Sequence, residues 1–113
     1  MRSGSYIPQR GDLVWLNFTP QAGHEQRGKR PALVLSPKIY NEKSSLCVVL
    51  PITSKIKGYP FEVLLPDGLA IEGAILSDQI KNLDFVAREI AFIEKLPKET
   101  LEQVQKNVLA LVG

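Results

Sequence analysis

At 113 residues, 44% of them apolar and 23% charged, the chain has the length of one domain and a globular rather than a disordered composition. Its one cysteine, Cys47, excludes an intrachain disulfide and a multi-cysteine zinc site. The net charge of +2 hides a partition: residues 27–57 carry seven cations against the acid Glu42, whereas residues 58–113 carry five cations against nine acids. A basic third on a mildly acidic domain predicts one electropositive face, the footprint of a polyanion binder. Solvated loop lysines would leave the same charge pattern.

Residues 1–5 lack the apolar stretch of a secretory signal, and the longest apolar runs, residues 32–35 and 46–50, are too short for a bilayer. A soluble cytoplasmic protein without a membrane partner is expected. Residues 12–18 (DLVWLNF) predict a buried strand, opened by a turn at Arg10 and Gly11. Residues 19–29, with two Gly, a Pro and no periodicity, read as loop. Residues 31–36 (PALVLS) predict a second strand bracketed by Pro31 and Pro37, which cannot donate to a ladder. Residues 46–52 predict a third, with Pro51 at a bulge or exit. A turn over 54–59 leads to a fourth strand at 60–65, ended by Pro66, Asp67 and Gly68. Residues 73–77 and 85–93 supply further short strands, the latter alternating cleanly from Phe85 to Ile93. Strands this short and this regularly spaced predict a small barrel or sandwich. From Lys98 the apolar residues Leu101, Val104, Val108, Leu109, Leu111 and Val112 form a helical stripe. Pro97 fits the first helical position, Glu99 the positive end of the dipole, and Gly113 the terminus. About fifteen residues are stable as a helix only when docked on the barrel or on a partner.

Several kinds of chemistry drop out. No GxGxxG or GxxxxGK[ST] cradle is present. His24 and Cys47, one of each and far apart, make no metal cluster, so neither metal nor cofactor is called for. Cys47, inside an apolar strand, reads as a small buried hydrophobe. His24 is the one imidazole and could serve as a base near neutral pH, although loop histidines are more often simply solvated. What remains are polar groups at the edges of the basic third: Glu25, Arg30, Thr53, Ser54, Lys57, Asp78, Gln79 and Lys81. Arg30 precedes Pro31 and is therefore held extended; Thr53 follows Pro51 and Ile52 at a strand exit. If these two strand ends are neighbours, a guanidinium fork and a hydroxyl converge on one point, which suits a phosphodiester. An arginine in a surface ion pair and a threonine capping a turn are the alternative.

The strings GDLVW (11–15), GHEQ (23–26), KRPALVLSP (29–37), PIT (51–53), KGYPFE (57–62) and SDQIK (77–81) occur in order along almost the whole chain. Together they resemble the MazF/PemK family of toxin endoribonucleases, and its MazF branch most. The resemblance implies a small SH3-like (PemK/MazF/CcdB-type) barrel, mostly β with a C-terminal helix, a single domain over residues 1–113, paired as a homodimer. It also implies metal-independent cleavage of single-stranded RNA and inhibition by a cognate MazE-like antitoxin. Residue by residue, it assigns catalysis to Arg30 and Thr53, with Glu25 as the candidate base. Lys57, Gln79, Lys81, Asn41 and Ser54 are expected to contact RNA. The segment 67–72 departs most from the family pattern, which points to a different preference in cutting sequence. A gyrase-binding toxin of the CcdB type and a non-cleaving RNA-binding barrel are the competing readings.

Overall fold

Three strands with apolar residues at most positions form the centre of the molecule: β1 (Asp12–Asn17), β2 (Lys29–Val34) and β3 (Leu46–Thr53). The computed structural model describes residues 6–18 and 28–113. The three strands pair antiparallel, with Leu13 opposite Leu33 and Leu33 opposite Leu50. Successive side chains leave opposite faces. Leu13, Leu33, Leu50 and Ile52 therefore enter one core with Val63, Ile75 and Val104, while Val14, Leu16, Ala32, Val34, Cys47 and Val49 enter a second with Phe85. Burial on both faces is why these strands read as apolar runs rather than as an alternation.

β4 (Glu62–Leu64), β5 (Ala74–Leu76), β6 (Lys81–Asp84) and β7 (Ala91–Lys95) complete a seven-stranded sheet of order β4-β5-β3-β2-β1-β7, with β6 as a further neighbour of β3. β3 changes partner along its length: Leu46 to Val49 pair with β6, Ile52 and Thr53 with β5. That changeover bends the sheet over itself and gives the mostly β, barrel-like architecture. Ala70 N–H donates to the Glu94 carboxylate at 2.5 Å and ties the 65–73 loop to β7. The buried carboxylate of Asp12 accepts from Tyr6 Oη, Gln9 N–H and Lys95 Nζ, fixing the segment before β1.

Pro31 and Pro51 lie inside β2 and β3 rather than at strand ends. The β2–β3 ladder stops at the pair Ala32–Pro51, beside Pro31, and Pro51 sits where β3 passes from β6 to β5. Both prolines thus occupy points where a ladder is already interrupted. Of the strand expected over 85–93, residues 91–93 are formed, at the start of β7, and residues 85–90 are not. Asp84 Oδ1 accepts from Val86 N–H at 3.1 Å and Ala87 N–H at 3.0 Å, and Glu89 has φ +56°, so 85–89 is a tight turn. An aspartate that mimics backbone in this way overrides the alternation that follows it.

The C-terminal helix α2 spans Lys98–Val112, with Pro97 as the extended residue capping it rather than in its first turn. Leu101, Val104 and Val108 dock on the first core, whereas Leu109, Leu111 and Val112 remain exposed. A short helix before β3, α1 (Lys38–Ser44), was not expected, because its seven residues carry no apolar stripe and one buried residue, Asn41. Among the described residues no helix is long and apolar enough to cross a membrane.

Candidate nucleic-acid interface

Ala32 pairs with Pro51, so two residues further along the antiparallel strands come Arg30 and Thr53. Both leave the sheet at the same end and, by the period of two, on the same face as Ala32. Arg30 lies opposite Leu16 of β1, exposed, with no hydrogen bond or ion pair among the described residues. Thr53 is half-buried, and its Oγ1 accepts from Lys55 N–H at 3.0 Å. That bond uses a lone pair and leaves the hydroxyl proton available to a ligand. Thr53 also depends on a close approach: a Cβ on Gly73 would stand 2.3 Å from Thr53 carbonyl oxygen, and Gly73 has φ +137°, where side chains are strained.

Beyond Thr53 the chain continues as an exposed loop, residues 54–60, that leads into β4. Together with the 76–79 turn it walls an open hollow of about 260 Å³, in which Lys55 and Lys57 share the lining with Glu62 and Asp78, beside Thr53, Tyr59 and Gln79. The two walls are joined at Phe61, whose carbonyl accepts from both Ser77 N–H (3.1 Å) and Ser77 Oγ. Asn107 of α2 donates to Ser77 Oγ at 3.3 Å, so the helix braces the same junction. Glu62 at the start of β4 accepts from the N–H groups of Lys57 and Gly58. Among the described residues the one ion pair is Lys95–Asp12. Lys55, Lys57 and Lys81 are therefore exposed cations without a carboxylate partner there, and Arg30 is another. Such an arrangement can hold a polyanion at the strand ends and present a hydroxyl to one of its phosphates.

Thr53, Lys57 and Gln79 of the expected site come together in the hollow, and exposed Ser54 follows Thr53 directly. Lys81, exposed, begins β6 opposite Val49. Glu25 and His24 lie outside the described residues. Asn41 does not belong with these groups. It is fully buried, its Nδ2 donating to the carbonyls of Pro8 (2.8 Å) and Ser36 (3.1 Å) and its Oδ1 accepting from Ser36 Oγ at 2.5 Å. It is a polar plug between α1 and the segment before β1, with no free group for RNA. Cys47 is buried, and burial pushes its thiol up to about 12, so it is no thiolate nucleophile near neutral pH. Sequence reasoning missed Lys55, Glu62 and above all Tyr59, which is 61% exposed at the hollow. An aromatic between Gly58 and Pro60, outside any periodic run, was the signal for it.

Residues 9–112 match the family described as PemK-like, MazF-like toxin of type II toxin–antitoxin systems. The endoribonuclease toxin MazF of Escherichia coli K12 is 42% identical over 108 residues, covering 96% of each chain. The crystal structure of MazF (Form-I) from Deinococcus radiodurans superposes with a TM-score of 0.87 at 49% identity, over 96% of this chain and 99% of that one. A chain of the MazE–MazF complex (Form-II) from the same organism gives 0.86 at 42% identity, over 96% and 98%.

Proposed function

The chain belongs to the PemK-like, MazF-like toxins of type II toxin–antitoxin systems, and on that footing we propose that it is an endoribonuclease that cuts single-stranded RNA without a metal, in the cytoplasm. The reaction is attack of a ribose 2′-OH on its own phosphate, leaving a 2′,3′-cyclic phosphate and a 5′-OH end. DNA lacks the nucleophile and is spared.

Each residue type has a part that its chemistry suits. Arg30 is permanently charged and clamps the phosphorane, a class of contact worth about 3–4 kcal/mol in comparable sites. Thr53, with its lone pair engaged by Lys55 N–H, donates its proton to a nonbridging oxygen. Glu25 takes the 2′-OH proton as the P–O5′ bond breaks, and the departing 5′-oxygen takes a proton from solvent to become the 5′-OH. Lys57, Lys81 and Ser54 meet the backbone, Gln79 reads a base edge, and Tyr59 offers a ring for stacking. The observation that best supports this reading is the pairing of Ala32 with Pro51, the last of the β2–β3 ladder, with Arg30 and Thr53 each two residues beyond it on neighbouring strands and Thr53 lining the hollow. Its partners are a MazE-like antitoxin and a second copy of the chain.

The test incubates the purified protein with defined single-stranded RNA in excess EDTA and sequences the fragment ends. The wild type should give 5′-OH fragments at a short sequence. Arg30→Ala should lose at least about 10²-fold in rate while keeping its thermal melting temperature. Undiminished cutting by that variant, or intact RNA with the wild type, overturns the reading.

A further inference from the structure

The basic loop that walls the hollow has few holds of its own. Residues 54–60 are all exposed, and Ile56, their apolar side chain, is 51% exposed. Between Ser54 and Tyr59 the backbone is tied in three places. Lys55 N–H donates to Thr53 Oγ1, Glu62 N–H donates to Tyr59 carbonyl at 3.0 Å, and the N–H groups of Lys57 and Gly58 turn to the Glu62 side chain. Glu62 Oε1 accepts from Lys57 N–H at 3.0 Å and Gly58 N–H at 2.8 Å, and Oε2 lies 3.3 Å from Lys57 N. Successive N–H groups converging on one oxygen form an anion nest. The nest accounts for the glycine: Gly58 has φ +78°, yet a Cβ there would meet nothing within 4 Å. Backbone shape, not crowding, requires it.

We propose that Glu62 is a positioning residue for RNA: its carboxylate fills the nest and so fixes where Lys55, Lys57 and Tyr59 stand over the hollow. The proposal rests on the nuclease reading for its ligand but not for its geometry. Hydrogen bonds to an ionised acceptor are about twice as strong as neutral ones, which suits a staple on a loop without a core beneath it. Glu62 is also separable from folding. Val63, its neighbour, points into the core, so by the strand period Glu62 lies on the outer side, half-buried.

Two variants, Glu62→Ala and Glu62→Gln, give three readouts: amide exchange at Lys57 and Gly58 in the free protein, KM and kcat on single-stranded RNA, and Tm. In Glu62→Ala the two amides should exchange at least about tenfold faster and KM should rise about tenfold, with a smaller change in kcat and Tm within about 2 °C of wild type. Glu62→Gln, which keeps one acceptor oxygen, should recover most of both effects. Unchanged amide exchange in Glu62→Ala overturns the proposal, as does tighter RNA binding, which would mean that the carboxylate occupies the place of a phosphate. A fall in Tm and kcat together, without recovery in Glu62→Gln, overturns it as well. Should the wild type leave RNA intact, the nuclease reading fails, and the exchange rates still decide the role of Glu62.

Discussion

Asn41 and Cys47 show what a side chain's surroundings add to its type. Asn41 is amphoteric and could serve RNA or the protein interior; three hydrogen bonds at zero exposure commit it to the interior. Asn41→Ala would strand Ser36 Oγ and two carbonyls, and a buried polar group left unmatched costs about 1–3 kcal/mol. The variant should lose about 2–4 kcal/mol in denaturant unfolding, while its folded fraction binds RNA as the wild type does. Burial pushes the Cys47 thiol up to about 12 in the folded chain, against about 8.5 for a free thiol. The unfolded chain therefore releases this proton first. The stabilisation is complete below about pH 8.5 and is lost as pH rises toward 12, at no more than about 1.4 kcal/mol per pH unit. Cys47→Ala should flatten the decline of unfolding free energy between about pH 9 and 11 relative to wild type. That Arg30 and Thr53 stand near strand ends was legible from Pro31, which holds Arg30 extended, and from the end of the apolar run at Thr53. Tyr59, between Gly58 and Pro60, reads as a loop aromatic, but which part of the surface its loop walls follows only from the fold.

Among the elements, β1 to β3 were readable from apolar runs of strand length, and α2 from its stripe. α1 escaped notice since a seven-residue helix held by one asparagine has no periodic signature. The 85–90 segment was misread because one carboxylate, Asp84, turns the chain before its alternation can be used. β5 depends on a detail of the same local kind. Gly73 lets the strand come against Thr53, and a methyl group there would sit 2.3 Å from a backbone oxygen that cannot swing away. Gly73→Ala should therefore push β5 from the end of β3, lowering stability by about 2 kcal/mol or more. RNA cleavage should fall further than the unfolded fraction explains, since Thr53 moves with its strand. Equal losses measured by unfolding and by cleavage would show that β5 yields without disturbing Thr53.

Among the described residues the last turn of α2 exposes apolar side chains. Leu109 and Val112 are each 65% exposed and Leu111 46% exposed, although all three belong to the stripe expected to dock. α2 spends its first three turns on its own core, and its last turn extends past it. Exposed apolar side chains on a last helical turn fit a partner surface, and the second copy proposed above would cover Leu109 and Val112, one turn apart. Leu109→Glu combined with Val112→Glu should shift the mass measured by light scattering from twice 12.6 kDa to 12.6 kDa, without loss of helix content. An unchanged mass would place the contact between copies elsewhere.

The pairing of β1 with the late strand β7 has a consequence for synthesis. β1 pairs with β7, and Lys95 reaches Asp12 across 83 positions. Contacts so distant in sequence form late and slowly. β7 must leave the ribosome before β1 can pair with it. A nascent chain therefore carries Arg30 and Thr53 well before the sheet that holds them is completed by β7.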